Sequence, residues 1–123
     1  MTERTEELIS LARRWLAAFN GKDLEELLAL YQDDAVHVSP KLRERQPETK
    51  GEIRGVAALR AWWKDALERL PGLHYEETRL TAMEDRVFME YLRHNPGDPD
   101  LLVAEVLEVG TGGLIRASRV YHG

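Results

Sequence analysis

The stretch RWLAAFNGKDLEELLALYQDDAVHVSP, Arg14 to Pro40, decides how the rest of the chain is read. Leu8, Leu11, Ala12, Trp15 and Phe19 recur at helical spacing, which predicts a first helix over residues 5–19. Glu3, Glu6 and Glu7 crowd its start, where the helix dipole favours negative charge. Asn20-Gly21 supplies the left-handed residue that ends a helix. Asp23 then fits an N-cap, with Glu26 three residues on, and opens a second short helix whose inner stripe is Leu24, Leu27, Leu28 and Tyr31. Asp33-Asp34 breaks the helical pattern, and Ala35 to Ser39 reads as a strand stopped by Pro40. Alternation puts Ala35, His37 and Ser39 on one face of that strand, with Val36 and Val38 on the other.

Downstream, Lys41 to Gly55 is polar and holds Pro47, Gly51 and Gly55, so a long loop of the lid type is expected. Helical spacing returns through Val56, Leu59, Trp63, Ala66, Leu67 and Leu70, and Pro71-Gly72 closes that helix. Trp62, next to Trp63, must point to a flank or a pocket rim. Four strand-like runs follow, over residues 73–82, 86–94, 101–109 and 114–122, separated by turn chemistry. The expectation is an α+β protein, residues 1–123 forming one domain with three helices on one face of an antiparallel sheet.

Composition removes several classes of function. The 123 residues carry a formal net charge of −5 and no cysteine. Thiolate catalysis, disulfides and cysteine-based zinc sites are therefore excluded. An acidic chain lacks the basic face of a nucleic-acid binder, and the positive residues of Lys41 to Arg54 are interleaved with Glu44, Glu48 and Glu52. No apolar run is long enough to cross a bilayer, and MTERTEE is charged where a signal peptide is apolar. Neither nucleic acid nor membrane is expected as a partner, and the default location is the cytoplasm.

The opening stretch, together with the closing GTGGLIRASRVYHG, resembles the ketosteroid isomerases and SnoaL-like polyketide cyclases of the NTF2-like superfamily. The resemblance implies an NTF2-like cone, with three N-terminal helices packed on a curved antiparallel sheet enclosing a pocket. It also implies positions for chemistry. Ketosteroid isomerases place a general-base Asp where this chain has Ser39, and an oxyanion-stabilising Tyr where it has Trp15. Their protonated Asp on the penultimate strand aligns with Glu105. Two of three roles are missing, so classical ketosteroid isomerase activity is not expected.

Under that alignment the pocket face carries His37, Ser39, Glu105, Ser118, Val120 and His122. Trp15, Phe19 and Tyr31 form the apolar wall, with Tyr91 beside them. Parity alone supports the grouping, since 37 and 39 share one face, as do 118, 120 and 122. Glu105, His37 and His122 are the candidate catalytic residues, because a desolvated carboxyl beside an imidazole suits general acid–base work. Trp15, Phe19, Tyr31, Ser39, Tyr91, Ser118 and Val120 are the candidate ligand contacts. The alternative for Glu105 is a structural network with Arg116, Arg119 or a histidine. Arg116 or Arg119 beside Glu105 would resemble part of the Asp–Arg–Asp set of limonene epoxide hydrolase, though no second carboxylate is placed.

His37, Glu105 and His122 suit a metal by ligand type, but no local histidine spacing supports one, and neither metal nor cofactor is expected. The function expected is that of a small-molecule pocket protein, an isomerase- or cyclase-type acid–base enzyme on an apolar carbonyl compound. The alternative is a non-catalytic ligand-binding or dimerisation module. In either case the resemblance implies a homodimer through the outer sheet face, to which Val106, Ile115, Ala117 and Tyr121 would contribute.

Overall fold

The structure, a computed structural model, describes residues 2–122. Helix α1 runs Glu3–Asn20, capped by the Thr2 hydroxyl, which accepts from the Thr5 N–H at 3.1 Å. Its inward stripe includes Leu8, Leu11, Ala12, Trp15 and Phe19, as the spacing requires. The left-handed residue after it is Lys22, at φ 59, while Gly21 keeps a right-handed φ of −78. Helix α2, Leu24–Leu28, opens with Asp23 accepting from the Glu26 N–H at 3.0 Å.

That second helix ends earlier than its apolar stripe suggests. Tyr31 is not on it but opens strand β1, Tyr31–Val38. Asp33 and Asp34 lie inside β1, exposed, where its pairing slips between Tyr31 and Val36. Such a bulge bends a strand and gives polar residues an outlet to water.

The expected loop after Pro40 is instead structured. Ser39 accepts from the Lys41 N–H at 3.2 Å and Pro40 takes the first helical position of α3, Pro40–Arg45. Leu42, fully buried, anchors that helix to the core. A 3₁₀ turn, Pro47–Thr49, leads to β2, Glu52–Arg54, which pairs antiparallel with β1. Helix α4 spans Val56–Arg69 and buries Leu59, Trp62 and Trp63.

The rest is a meander of β3 (His74–Met83), β4 (Arg86–His94), β5 (Leu101–Val109) and β6 (Ile115–His122). The open sheet has the order β2-β1-β6-β5-β4-β3. All neighbours are antiparallel except β1 and β6, which are parallel. The first long strand is thus locked beside the last, and His37 stands opposite Ser118. Helix α1 lies against β3 and β4, and α4 against β1 and β2. The core fills the space between helices and sheet; truncating a leucine there, such as the fully buried Leu59, would cost roughly 2–5 kcal/mol.

On the outer sheet face Leu102 and Tyr121 are more than half exposed, at 53% and 54%, with Val106 on the same side. Ile115 does not join them. The pairing of β5 with β6 slips between Glu108 and Val109, and Ile115 turns into the core. No helix is long and apolar enough to cross a membrane, among the described residues.

Candidate small-molecule site

A cavity of about 230 Å³ opens between α1, α3, α4 and the inner sheet face. The alternation of β5 turns Val103 and Glu105 to it, that of β6 turns Val120 and His122, and β1 adds His37. Register fixes their spacing, because Glu105 pairs with Val120 and Val103 with His122. His37, Glu105 and His122 therefore line one cavity, although no hydrogen bond joins any two of them among the described residues.

Glu105 is 2% exposed and carries the dominant electrostatic feature. The Tyr91 hydroxyl donates to its Oε1 at 2.9 Å. Its Oε2 is buried with no partner among the described residues. Burial pushes the carboxyl pKa up to about 8, opposed by the Tyr91 hydrogen bond. At neutral pH the group is largely a neutral acid, with a proton to offer from Oε2. Arg116 and Arg119, the alternative partners, pair elsewhere. Arg119 meets Glu108 at 2.6 Å and Arg116 meets Asp85 at 2.9 Å. The arginine form of the structural network and the Asp–Arg–Asp comparison both fail on that placement.

His37 belongs to a different set. The Trp15 indole N–H donates to the Tyr31 hydroxyl at 2.9 Å, which donates to Ser118 Oγ at 3.0 Å. Ser118 Oγ lies 2.7 Å from His37 Nδ1. An indole only donates, so the Tyr31 proton must go to Ser118, and the Ser118 proton is then free for Nδ1. Donation from Ser118 to Nδ1 would complete that relay and place the imidazole proton on Nε2. Burial pushes its pKa down to about 4, which keeps it neutral. His37 is thus a weak base at neutral pH.

The remaining expectations sort by position. Trp15, Phe19, Ser39, Tyr91 and Val120 line the cavity. Ser39 does so with its hydroxyl already engaged in capping α3. Tyr31 and Ser118 are not among the lining residues; they stand behind the wall and hold His37. Trp15, Phe19, Tyr75 and Tyr91 form a near-parallel stack, with Phe19–Tyr75 and Tyr75–Tyr91 centroids 4.2 Å apart. Trp63 packs on both Tyr31 and His37 at 5.1 Å. His122 is partly buried and its pKa is lowered, first by that burial and then by Lys41, with Glu44 opposing.

Sequence reasoning missed Tyr75, Arg93 and the rim residues Lys41, Glu44 and Arg45, all of which line the cavity. Continuing the alternation of β4 from Tyr91 would have found Arg93. Nothing local marks Tyr75, and the rim residues were hidden by reading α3 as a loop. Trp62, expected at a flank or rim, is buried in the cavity wall.

The profile of the SnoaL-like domain family matches residues 12–118. No curated protein matches the sequence. Among solved structures, a SnoaL-like protein of unknown function from Burkholderia thailandensis is 25% identical, with a TM-score of 0.86 covering 100% of this chain and 98% of that one. A Kribbella flavida protein, provisionally named a ketosteroid isomerase, is 26% identical, with a TM-score of 0.78 over 97% of this chain and 79% of that one. A protein with a ketosteroid isomerase-like fold from Catenulispora acidiphila, solved with trimethylamine, shares the fold at 21% identity. Its TM-score is 0.70 over 90% of this chain and 83% of that one. With 372 solved chains matching, the fold alone selects no activity.

Proposed function

Because the chain belongs to the SnoaL-like domain family, we propose that its cavity is a small-molecule site of the isomerase or cyclase type, acting on an apolar carbonyl compound. The observation that carries this reading is the buried Oε2 of Glu105 in the cavity wall, without a partner among the described residues. A neutral carboxylic acid buried in a cavity wall donates a strong hydrogen bond to a carbonyl oxygen and stabilises the charge that develops there. His122 is the group left to accept a proton, being held neutral at the same cavity. His37 offers its Nε2–H as a fixed donor and positions the ligand.

In the proposed step His122 removes a proton from the carbon beside the carbonyl. The C–H electron pair becomes a carbon–carbon double bond, and the carbonyl π pair moves to oxygen, which takes the Glu105 proton. In a β,γ-unsaturated ketone the resulting dienol takes the His122 proton at the γ-carbon while its oxygen returns the other proton to Glu105, which completes an isomerisation with both groups restored. A solvent-exchange experiment tests this, using 1-phenylbutan-1-one in D₂O as probe. The protein should accelerate exchange at the carbon next to the carbonyl, and Glu105→Gln and His122→Gln should each lower the rate at least about tenfold. No acceleration by the wild type, or an unchanged rate in Glu105→Gln, would sink the acid–base reading.

The second reading is a non-catalytic binding or association module, favoured by the exposed Leu102 and Tyr121 beside Val106 on the outer sheet face. Pairing of two such faces would give a homodimer, with or without catalysis.

A further inference from the structure

We propose that the ligand bears a carboxylate, received by Arg93 in the same cavity where Glu105 meets its carbonyl oxygen. This rests on reading the cavity as a small-molecule site. The chain is acidic overall, yet the cavity lining holds Lys41, Arg45, Arg69 and Arg93 against Glu44 at its rim and the neutral Glu105 within. Three of these cations have side chains about a third to a half exposed and pair with surface carboxylates. Arg45 and Arg69 share Asp65, at 4.0 Å and 2.7 Å, and Lys41 is 3.9 Å from Glu44.

Arg93 is different. Its side chain is only 14% exposed, and its one ion-pair partner among the described residues, Asp98, stands 3.7 Å away, beyond hydrogen-bond distance. A guanidinium has five N–H donors in a planar fork, and one held largely inside a cavity gains most from a partner that takes several of them at once. A carboxylate fits the fork with two parallel hydrogen bonds. Position agrees with charge. Arg93 is two residues beyond Tyr91 on the same face of β4, and Tyr91 holds Glu105. A ligand lying along that face would present an anion to Arg93 and a carbonyl to Oε2 of Glu105. Its apolar body would rest on Trp62, Trp63 and Leu73. The class implied is a compact, apolar keto acid.

Calorimetric titration with 3-benzoylpropanoate and with 1-phenylbutan-1-one, which has the same skeleton with a methyl group in place of the carboxylate, tests the assignment. The wild type should bind the acid at least about tenfold more tightly, within the range of a charge-assisted hydrogen-bonded pair. Arg93→Gln should erase that preference and leave the ketone unaffected. Asp98→Asn, at an exposed position, should strengthen acid binding, and it decides the matter if Arg93→Gln does not fold. Equal affinity for the two probes, a preference that survives Arg93→Gln, or acid binding unchanged by Asp98→Asn would each overturn the inference. Ketone binding weakened by Glu105→Gln without any acid preference would overturn this inference alone. An Arg93-dependent preference with no effect of Glu105→Gln would overturn only the acid–base reading. If neither probe binds, both fall.

Discussion

Tyr91 donates its hydroxyl proton to Oε1 of Glu105 at 2.9 Å, and Oε2 of the same carboxyl is left buried without a partner among the described residues. One oxygen is anchored by the protein and the other is held in reserve. The stability and the proposed chemistry of the site both turn on that asymmetry.

Glu105→Gln should stabilise the protein at alkaline pH. The folded carboxyl titrates near 8, well above an unfolded glutamate, so between those values the folded state binds more protons. Stability contributed by this group must therefore fall as pH rises from about 4.5 to 8. Glutamine keeps an oxygen for Tyr91 and a donor in place of Oε2–H, without an ionisable proton. Thermal melts at pH 5 and pH 8.5 should give a variant Tm close to wild type at the lower pH and at least about 5 °C higher at the upper one.

Tyr91→Phe removes the hydrogen bond that favours the ionised carboxyl, so the Glu105 pKa should rise further. Carbon NMR titration of the labelled glutamate carboxyl reads this directly. The lost bond should also cost about 1 kcal/mol in urea unfolding at neutral pH.

Ser118→Ala cuts the chain from Trp15 through Tyr31 to His37. It leaves a phenol without its acceptor and Nδ1 without its donor, at a cost of roughly 2–3 kcal/mol. Nitrogen NMR of the imidazole should show one tautomer, protonated on Nε2, in the wild type and a mixture in the variant. His37 itself sets an acid limit. Its folded pKa is near 4, so the unfolded state binds the extra proton below about 6.5, and stability declines as pH falls through that window to about 4.

Tyr121→Asp, on the outer sheet face, should leave the melting temperature of a monomer nearly unchanged but disrupt self-association. Sedimentation velocity is expected to shift from dimer to monomer, with Leu102→Asp behaving alike. A wild type that sediments as a monomer would remove the homodimer from the proposed function.

Ser39-Pro40 shows how a local signal is lost by reading it for one element only. Taken as the stop of a strand, it hides a helix start, although serine followed by proline is also an N-cap and first helical residue. Tyr31 shows the opposite difficulty. It fits the apolar stripe of α2, and only its pairing with Ile115 of β6 makes it part of a strand. Asp33 and Asp34 were legible as a break, but not as a bulge within β1.

The sequence by itself determined the helical stripes of α1 and α4, the turns of the meander and the alternation that puts His37 with Ser39 and Val120 with His122, while Glu105 was reached through the family resemblance. Those features depend on neighbours within a few residues, and periodicity records them. Tertiary structure alone decided that β1 lies parallel to β6, which brings Ser118 to His37. It also decided that Glu105 meets Tyr91 rather than an arginine, and that Arg93 is largely enclosed without a hydrogen-bonded partner among the described residues. Protonation and pairing are set by burial and by groups far apart in the chain, and no local pattern encodes how much water the fold leaves around a carboxyl or a guanidinium.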